Sequence, residues 1–237
     1  MLKIENVCKS YKNRSVLKGV TMQIEDGEVR GLIGVNGAGK TTLIECICGV
    51  KNVDSGEIWV DGINIKDKKS KMKYQKNIGY MPQAFSLFND LTVRENLEYL
   101  CAVYEILDGT DKIIELCGLR MYENVIAQNL SGGYKQLLSL ASAIVHSPKF
   151  LILDEPTAAM DPLFRRKFWE IVSKCKESGV TILIITHYME ELLECDNFTC
   201  IAGGKVSFDG NLSEFGDKTA LNVEKLLSKY SFEEWHE

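Results

Sequence analysis

The 237-residue sequence carries no apolar run able to cross a bilayer. Its continuous apolar stretches, Phe150–Leu153 and Ile182–Ile185, fall far short of the roughly 18 residues a membrane helix needs. Near the N-terminus Lys3, Glu5 and Lys9 interrupt anything resembling the apolar segment of a signal peptide. A basic excess is also missing: 28 Lys+Arg stand against 33 Asp+Glu, a formal net charge of −5, so no global field draws in nucleic acid. The eight cysteines show no CxxC spacing. Cys46 and Cys48, two apart on an expected helix, face different ways, so reduced and mostly buried thiols account for them better than a disulfide or metal framework. No linker rich in Pro, Gly or Ser divides the chain, and no internal repeat appears. These absences leave a soluble, intracellular chain with one substantial core.

What is present is an alternation of strands and helices. Leu2–Val7 and Val16–Ile24 alternate apolar and polar residues like half-buried strands. Val29–Ile33 is a short apolar strand feeding a glycine-rich loop, and Lys40–Cys48 reads as a helix that Gly49 ends. Glu57–Val60 and Ile63–Ile65 flank an Asp61-Gly62 hairpin turn, and Ile78–Met81 is a strand halted by Pro82. From Thr92 to about Ser147 the pattern is helical, opened by a Thr92-x-x-Glu95 capping box. Phe150–Leu153 and Thr181–Ile185 read as parallel strands buried on both faces, with Phe164–Lys176 as the crossover helix. The expectation is an α/β fold, one composite domain over 1–237. A helical insertion occupies about 84–147 and a polar tail about 211–237, helical over 221–229.

Three segments carry chemistry. Gly34–Thr41 is a complete GxxxxGKT loop after a strand and before a helix, the context that makes a phosphate cradle credible. There Lys40 supplies a point charge to phosphate, the Thr41 hydroxyl ligates Mg²⁺ and Thr42 adds a second hydroxyl. Asp154 ends an apolar strand, where its carboxylate emerges at the sheet edge that binds ligands; it can hold Mg²⁺, and the adjacent Glu155 can polarise an attacking water. Between these segments Leu130–Gln136 contains Ser131-Gly132-Gly133 opening a helix, a second ring of N–H groups suited to phosphate. One nucleotide needs one cradle, so this turn points to the nucleotide of another copy. Gln83, His187 and Tyr11 taken singly read as ordinary surface or packing residues. Their positions raise them: Gln83 and His187 follow strands, and Tyr11 is the aromatic ahead of the cradle, placed to stack on a base. The run Lys66, Lys68, Lys69, Lys71, Lys73 and Lys76 reads as a solvated face, with anionic lipid contact as the alternative.

In this order the residues resemble the ATP-binding-cassette (ABC) ATPases along nearly the whole chain. Tyr11 resembles their adenine platform, Gly34–Thr41 the Walker A loop, Gln83 the Q-loop, Leu130–Gln136 the signature, Asp154-Glu155 the Walker B pair, Asp161 the D-loop aspartate and His187 the switch histidine. Ser139–Trp169 and Thr186–Glu191, followed by Cys195-Asp196, look like ATPases of type-two drug- and antibiotic-export systems. The resemblance implies a P-loop NTPase fold with a parallel core sheet, an N-terminal antiparallel β subdomain and a helical subdomain. It implies ATP and Mg²⁺ as cofactors. Nucleotide would be bound by Tyr11, Val16, Gly34, Val35, Asn36, Gly37, Ala38, Gly39, Lys40, Thr41 and Thr42, and by Ser131, Gly132 and Gly133 of a second copy or of a paralogous ATPase subunit. Glu155, His187 and Gln83 would be catalytic; Thr41, Gln83 and Asp154 would hold the metal. The implied setting is the cytoplasmic face of the membrane, with an integral membrane transport subunit and no nucleic acid as partner. The candidates for that subunit's groove are Phe85, Leu87, Phe88, Leu91, Tyr99, Val103 and Tyr104. Tyr134 and Leu137 depart from the usual signature, and Ala158-Ala159-Met160 lacks a usual glycine before Asp161. The competing reading is a soluble ABC ATPase acting on ribosomes or DNA. Ribosome-acting members usually carry two cassettes, and DNA-repair members a very long coiled coil before the signature, neither of which this sequence has. The hydrolytic machinery is blind to the direction of transport.

Overall fold

Two sheets share the chain because two kinds of strand were written into it. The computed structural model describes residues 1–211 apart from 13, 68 and 159. The alternating segments make an antiparallel sheet in the order β2-β1-β4-β5, from β1 (Leu2–Tyr11), β2 (Arg14–Ile24), β4 (Ser55–Val60) and β5 (Ile63–Asn64). The unbroken apolar runs supply β7 (Phe150–Asp154) and β8 (Thr181–Ile185) of the second sheet, whose order is β10-β9-β3-β8-β7-β6 and whose other strands are β3 (Val29–Ile33), β6 (Ile78–Met81), β9 (Asn197–Ala202) and β10 (Lys205–Gly210). All its pairs are parallel except β9–β10.

The continuous apolar runs follow from a separate core on each face of this sheet. Phe150, Ile152, Leu183 and Ile185 pack with α1 (Lys40–Ile47) and the antiparallel sheet. Leu151, Leu153, Ile182 and Ile184 pack with α5 (Gly132–Ile144) and α6 (Pro162–Glu177). A period of 2 thus feeds both cores from one strand.

The expected helical stretch is three helices, not one run: α3 (Val93–Val103), α4 (Gly109–Leu116) and α5, with 3₁₀ turns at Arg120–Tyr122 and Ala127–Asn129. Left-handed backbone at Glu105 (φ 59°), Asp108 (φ 56°) and Gly118 (φ 62°) separates them. The capping box is formed: Glu95 N donates to Thr92 Oγ1 at 3.1 Å and Thr92 N to Glu95 Oε2 at 2.7 Å. Part of the lysine run forms α2 (Lys71–Lys76), whose Tyr74 hydroxyl donates to Ile47 O at 2.6 Å while Lys71, Lys73 and Lys76 face solvent. β1 extends past the expected end at Val7 to Tyr11, and β9 and β10 were not foreseen. A four-residue helix, α7 (Met189–Leu192), follows β8. The eight cysteines are free thiols. No helix among the described residues is long and apolar enough to cross a membrane. The helix expected over 221–229 lies outside the described residues.

Register places the chemistry on one edge. Leu32 and Asp154 both pair with Ile185, and Met81 pairs with Leu153. The carboxyl ends of β3, β8, β7 and β6 therefore open together, where ligands bind in parallel sheets.

Candidate functional site

A cleft of about 1210 Å³ lies over this edge. Its walls contain Tyr11, Val16, Gly34, Val35, Asn36, Gly37, Gly39, Lys40, Thr41, Thr42, Gln83, Asp154, Glu155 and His187. Four strand ends and two turns thus bring together fourteen residues singled out in the sequence. Ala38 is buried beneath the loop, where its N–H donates to Val35 O at 3.1 Å. Ser131, Gly132 and Gly133 do not line this cleft. Ser131 and Gly132 are exposed at the start of α5, where Ser131 holds the N-cap position without spending its hydroxyl on the cap.

The loop is built by close approach. A Cβ on Gly34 would stand 2.3 Å from Ile201 O, so only glycine lets β3 turn beside β9. Gly39, at φ 107°, turns the chain into α1 and aims that helix's first N–H groups at the cleft. Lys40 Nζ donates to Gly34 O at 2.7 Å and Val35 O at 3.2 Å, bridging the loop from within. Burial holds the Lys40 ammonium below its ordinary range, against the opposing pull of Glu155 and Asp154.

The acidic pair sits on a bend. Glu155 has left-handed backbone (φ 47°) while its N–H still donates to Ile185 O at 2.9 Å. Such a conformation costs about 1–3 kcal/mol in a non-glycine residue and is typical of functional positions. It swings the Glu155 carboxylate toward Gln83, whose Nε2 donates to Oε2 at 2.6 Å, and toward His187, whose Nδ1 lies 3.3 Å from Oε1. Asp154 Oδ2 accepts from the Tyr80 hydroxyl at 3.4 Å. Burial, then repulsion from Glu155, pushes the Asp154 carboxyl above its usual range, with Tyr80 and Lys40 opposing. Beyond the pair, the buried Thr157 hydroxyl donates to the buried Glu191 carboxylate on α7, tying the turn after Glu155 to the segment after His187.

The residues fit a hard, hydrated divalent cation. No cluster of three His, Cys, Asp or Glu exists among the described residues, so a metal would take few protein ligands. One carboxylate, one hydroxyl and one amide beside a phosphate cradle match the habit of Mg²⁺, which keeps waters and shares phosphate oxygens. Reading motifs missed five further lining residues, Arg14, Ser15, Lys18, Ile185 and Gly203. Lys18 shares the face of β2 that carries Val16, a period-2 signal available once Val16–Ile24 was assigned, whereas Arg14 joins that face because β2 begins two residues earlier than expected.

A second cavity, about 520 Å³, lies between α2, α3 and α5 and is lined by Met72, Tyr80, Leu87, Leu100, Val103, Tyr104 and His146 among others. Phe88, Tyr99 and Val103 are about half exposed, and the Phe88 and Tyr99 rings meet edge to face at 5.0 Å. Phe85, Leu87 and Tyr104 instead pack partly against the core. Buried Asn96 fixes this segment, accepting from Phe88 N at 3.0 Å and donating to Phe88 O and Thr92 O.

Comparison with known proteins converges on one family. The profile of the ABC transporter family matches residues 17–158. The chain is 33% identical over 225 residues to the probable multidrug ABC transporter ATP-binding protein YbhF of Escherichia coli, covering 93% of this chain and 39% of that protein. It is thus similar to well under half of that relative's length. It is 36% identical to the linearmycin resistance ATP-binding protein LnrL of Bacillus subtilis, over 93% of this chain and 70% of that one. Among solved structures, the dimer of the ATP-binding cassette MJ0796 in a post-hydrolysis state, bound to ADP and Pi, superposes with a TM-score of 0.81 at 27% identity, covering 90% of this chain and 99% of that one. Shared fold, sequence and site order together establish that the chain belongs to the ABC transporter family, as an ATPase domain with the P-loop fold.

Proposed function

We propose that this chain hydrolyses ATP in a head-to-tail dimer, with a second copy or a paralogous ATPase subunit, to drive a separate membrane subunit that exports drug-like or other hydrophobic or peptidic compounds. It works as one domain, at the cytoplasmic face of the membrane. The observation that carries the shared site is the separation of two phosphate-binding turns. The Lys40 loop opens on the cleft, while the exposed Ser131–Gly132 turn stands outside it with an uncommitted hydroxyl. Closing two copies two-fold sets each turn on the other's nucleotide.

Within one cleft the roles divide by geometry. Tyr11 and Val16 receive the base, and the Gly34–Thr42 segment and Lys40 receive the phosphates. Thr41, Gln83 and Asp154 would hold Mg²⁺, which when bound neutralises phosphate charge. Glu155 accepts the proton of the attacking water, with Gln83 and His187 holding its two carboxylate oxygens. The ordered contacts loosen once the γ-phosphate is lost, which opens the dimer. Likeness to LnrL and YbhF supports export. The cavity between α2, α3 and α5, lined by Leu87, Val103 and Tyr104, is the surface offered to a helix of the membrane subunit.

Complementation tests the shared site. Ser131→Arg should bind ATP yet fail to hydrolyse it, and Lys40→Ala should lose nucleotide affinity. Mixing the two gives a dimer with one intact composite site, so ATPase activity or ATP-dependent association should return. Recovery of neither, with both variants folded, refutes the composite site. The direction of transport is read by reconstituting the chain in vesicles with the membrane subunit that co-purifies with it.

A further inference from the structure

We infer that the first turn of α6 is a mechanical bridge between the two halves of the composite site, with Tyr134, Phe164, Arg165 and Tyr188 as positioning residues. The inference rests on the shared-site reading above. It begins at Tyr134, the residue that departs from the usual signature. Its ring lies 3.9 Å from that of Tyr122 and meets Phe164 edge to face at 4.8 Å. Phe164 also lies directly on the turn, since a Cβ added to Gly133 would fall 2.6 Å from Phe164 Cγ. Glycine at 133 therefore serves ring contact as well as phosphate access. The other end of Phe164 is fixed too: Asp161 Oδ1 accepts from Leu163 N at 2.9 Å and from Phe164 N at 3.1 Å.

The next residue of the same turn reaches the other half. Adjacent helical residues point about 100° apart, and the Arg165 guanidinium lies 5.7 Å from the centre of the Tyr188 ring. Tyr188 in turn lies 4.2 Å from the His187 imidazole, and its hydroxyl donates to Ala158 O at 3.3 Å. His187 then contacts Glu155 at 3.3 Å. One helical turn thus touches the Ser131–Gly133 turn through Phe164 and the Glu155 site through Arg165. Tyr122, Tyr134 and Phe164 are partly buried and pack against the edge of the core, and Tyr188 is partly buried beyond them, so this line of rings runs from the rim of the core toward the sheet edge. When the partner's nucleotide seats on Ser131–Gly133, the load on Phe164 turns the start of α6 and so sets the His187 ring against Glu155.

A double-mutant cycle decides between a bridge and two unrelated contacts. The proteins are wild type, Tyr134→Ala, Tyr188→Ala and the double variant, each assayed for steady-state ATP hydrolysis. Each single change should lower kcat about tenfold with KM within about twofold, on the scale seen for coupled packed networks. The double variant should fall no further than about the poorer single one, and Tyr134→Phe and Tyr188→Phe should stay within about twofold of wild type. Losses that multiply, or a rise in KM with kcat intact, overturn the bridge. If an alanine variant fails to fold, leucine at that position keeps the apolar bulk and completes the cycle. Ser131→Arg runs in parallel: normal turnover there removes the shared-site reading itself, whereas an inactive Ser131→Arg beside multiplying losses removes the bridge alone.

Discussion

Gln83 and Glu155, 72 residues apart in sequence, meet at 2.6 Å, with the amide of one strand end donating to the carboxylate of another. The contact spends one lone pair of the general-base candidate on a residue that heads the helical insertion. Anything that moves the segment after Met81 therefore moves a ligand of Glu155 as well.

Replacing Glu155 with Gln keeps the shape of this contact and removes the base. ATP binding should persist while hydrolysis slows by about two orders of magnitude or more. The check pairs a nucleotide titration with phosphate release, and the variant should collect as an ATP-bound dimer on size exclusion.

Asp154 gives a pH dependence of known sign. Its carboxyl sits above the ordinary range because of burial first and Glu155 second. Cation binding needs the ionised form, so Mn²⁺ affinity, followed by electron paramagnetic resonance from pH 7 downward, should weaken before pH reaches ordinary carboxylate values. The folded state also holds this proton more tightly than the unfolded chain, so the ionised group reduces stability at neutral pH and the loss is relieved as pH falls. Asp154→Asn should therefore raise the melting temperature of the ligand-free protein at pH 7 while abolishing the Mn²⁺ response.

Gly79 on β6 is held by the end of α5: an added Cβ would stand 2.1 Å from Ala143 O and 2.9 Å from Pro148 Cγ. Gly79→Ala forces backbone apart and should cost about 1–3 kcal/mol. Scanning calorimetry would record this as a fall of roughly 2–4 °C per kcal/mol for a chain of this size.

Thr92→Ala should remove the side-chain half of the capping box at the start of α3, the Oγ1 that accepts from Glu95 N, while leaving the backbone N–H that donates to Glu95, and cost about 1 kcal/mol. A lower urea midpoint with unchanged ATP affinity is the expected pair of results, since this helix stands away from the cleft.

The strand Thr181–Ile185 was legible to the residue because burial on both faces leaves an apolar run, whereas Val29–Ile33 and Ile78–Met81, which carry Arg30 and the exposed Tyr80, were legible because a glycine loop and Pro82 end them. β9 was not, because polar residues interrupt it. Thr199 is fully buried, and its hydroxyl sits in a network in which the Arg30 side chain donates to Thr199 at 3.3 Å, to Glu28 at 2.6 Å and to Asp209. Arg30 is 169 residues from Thr199 in sequence, so no local pattern marks this threonine as a buried strand residue. The breaks between α3, α4 and α5 were hidden for a different reason: Glu105 and Asp108 take left-handed backbone without the glycine that usually announces it. Gln83, His187 and Tyr11 were legible only through their order along the chain. The geometry that joins Gln83 and His187 to Glu155 depends on strand register, which no local pattern encodes.

Gly204 closes the same cleft from near the end of the described chain. Lys18 N donates to its carbonyl at 2.8 Å, a Cβ there would stand 2.2 Å from Val16 O, and neighbouring Gly203 lines the cavity together with Tyr11. A chain made from its N-terminus exposes Tyr11, Val16 and the Lys40 loop long before Gly203 and Gly204 exist. The nascent protein therefore passes most of its synthesis with a phosphate loop but no finished pocket, and contacts this distant in sequence form slowly. The cleft is completed late, when β9 and β10, the last hairpin among the described residues, dock against β2.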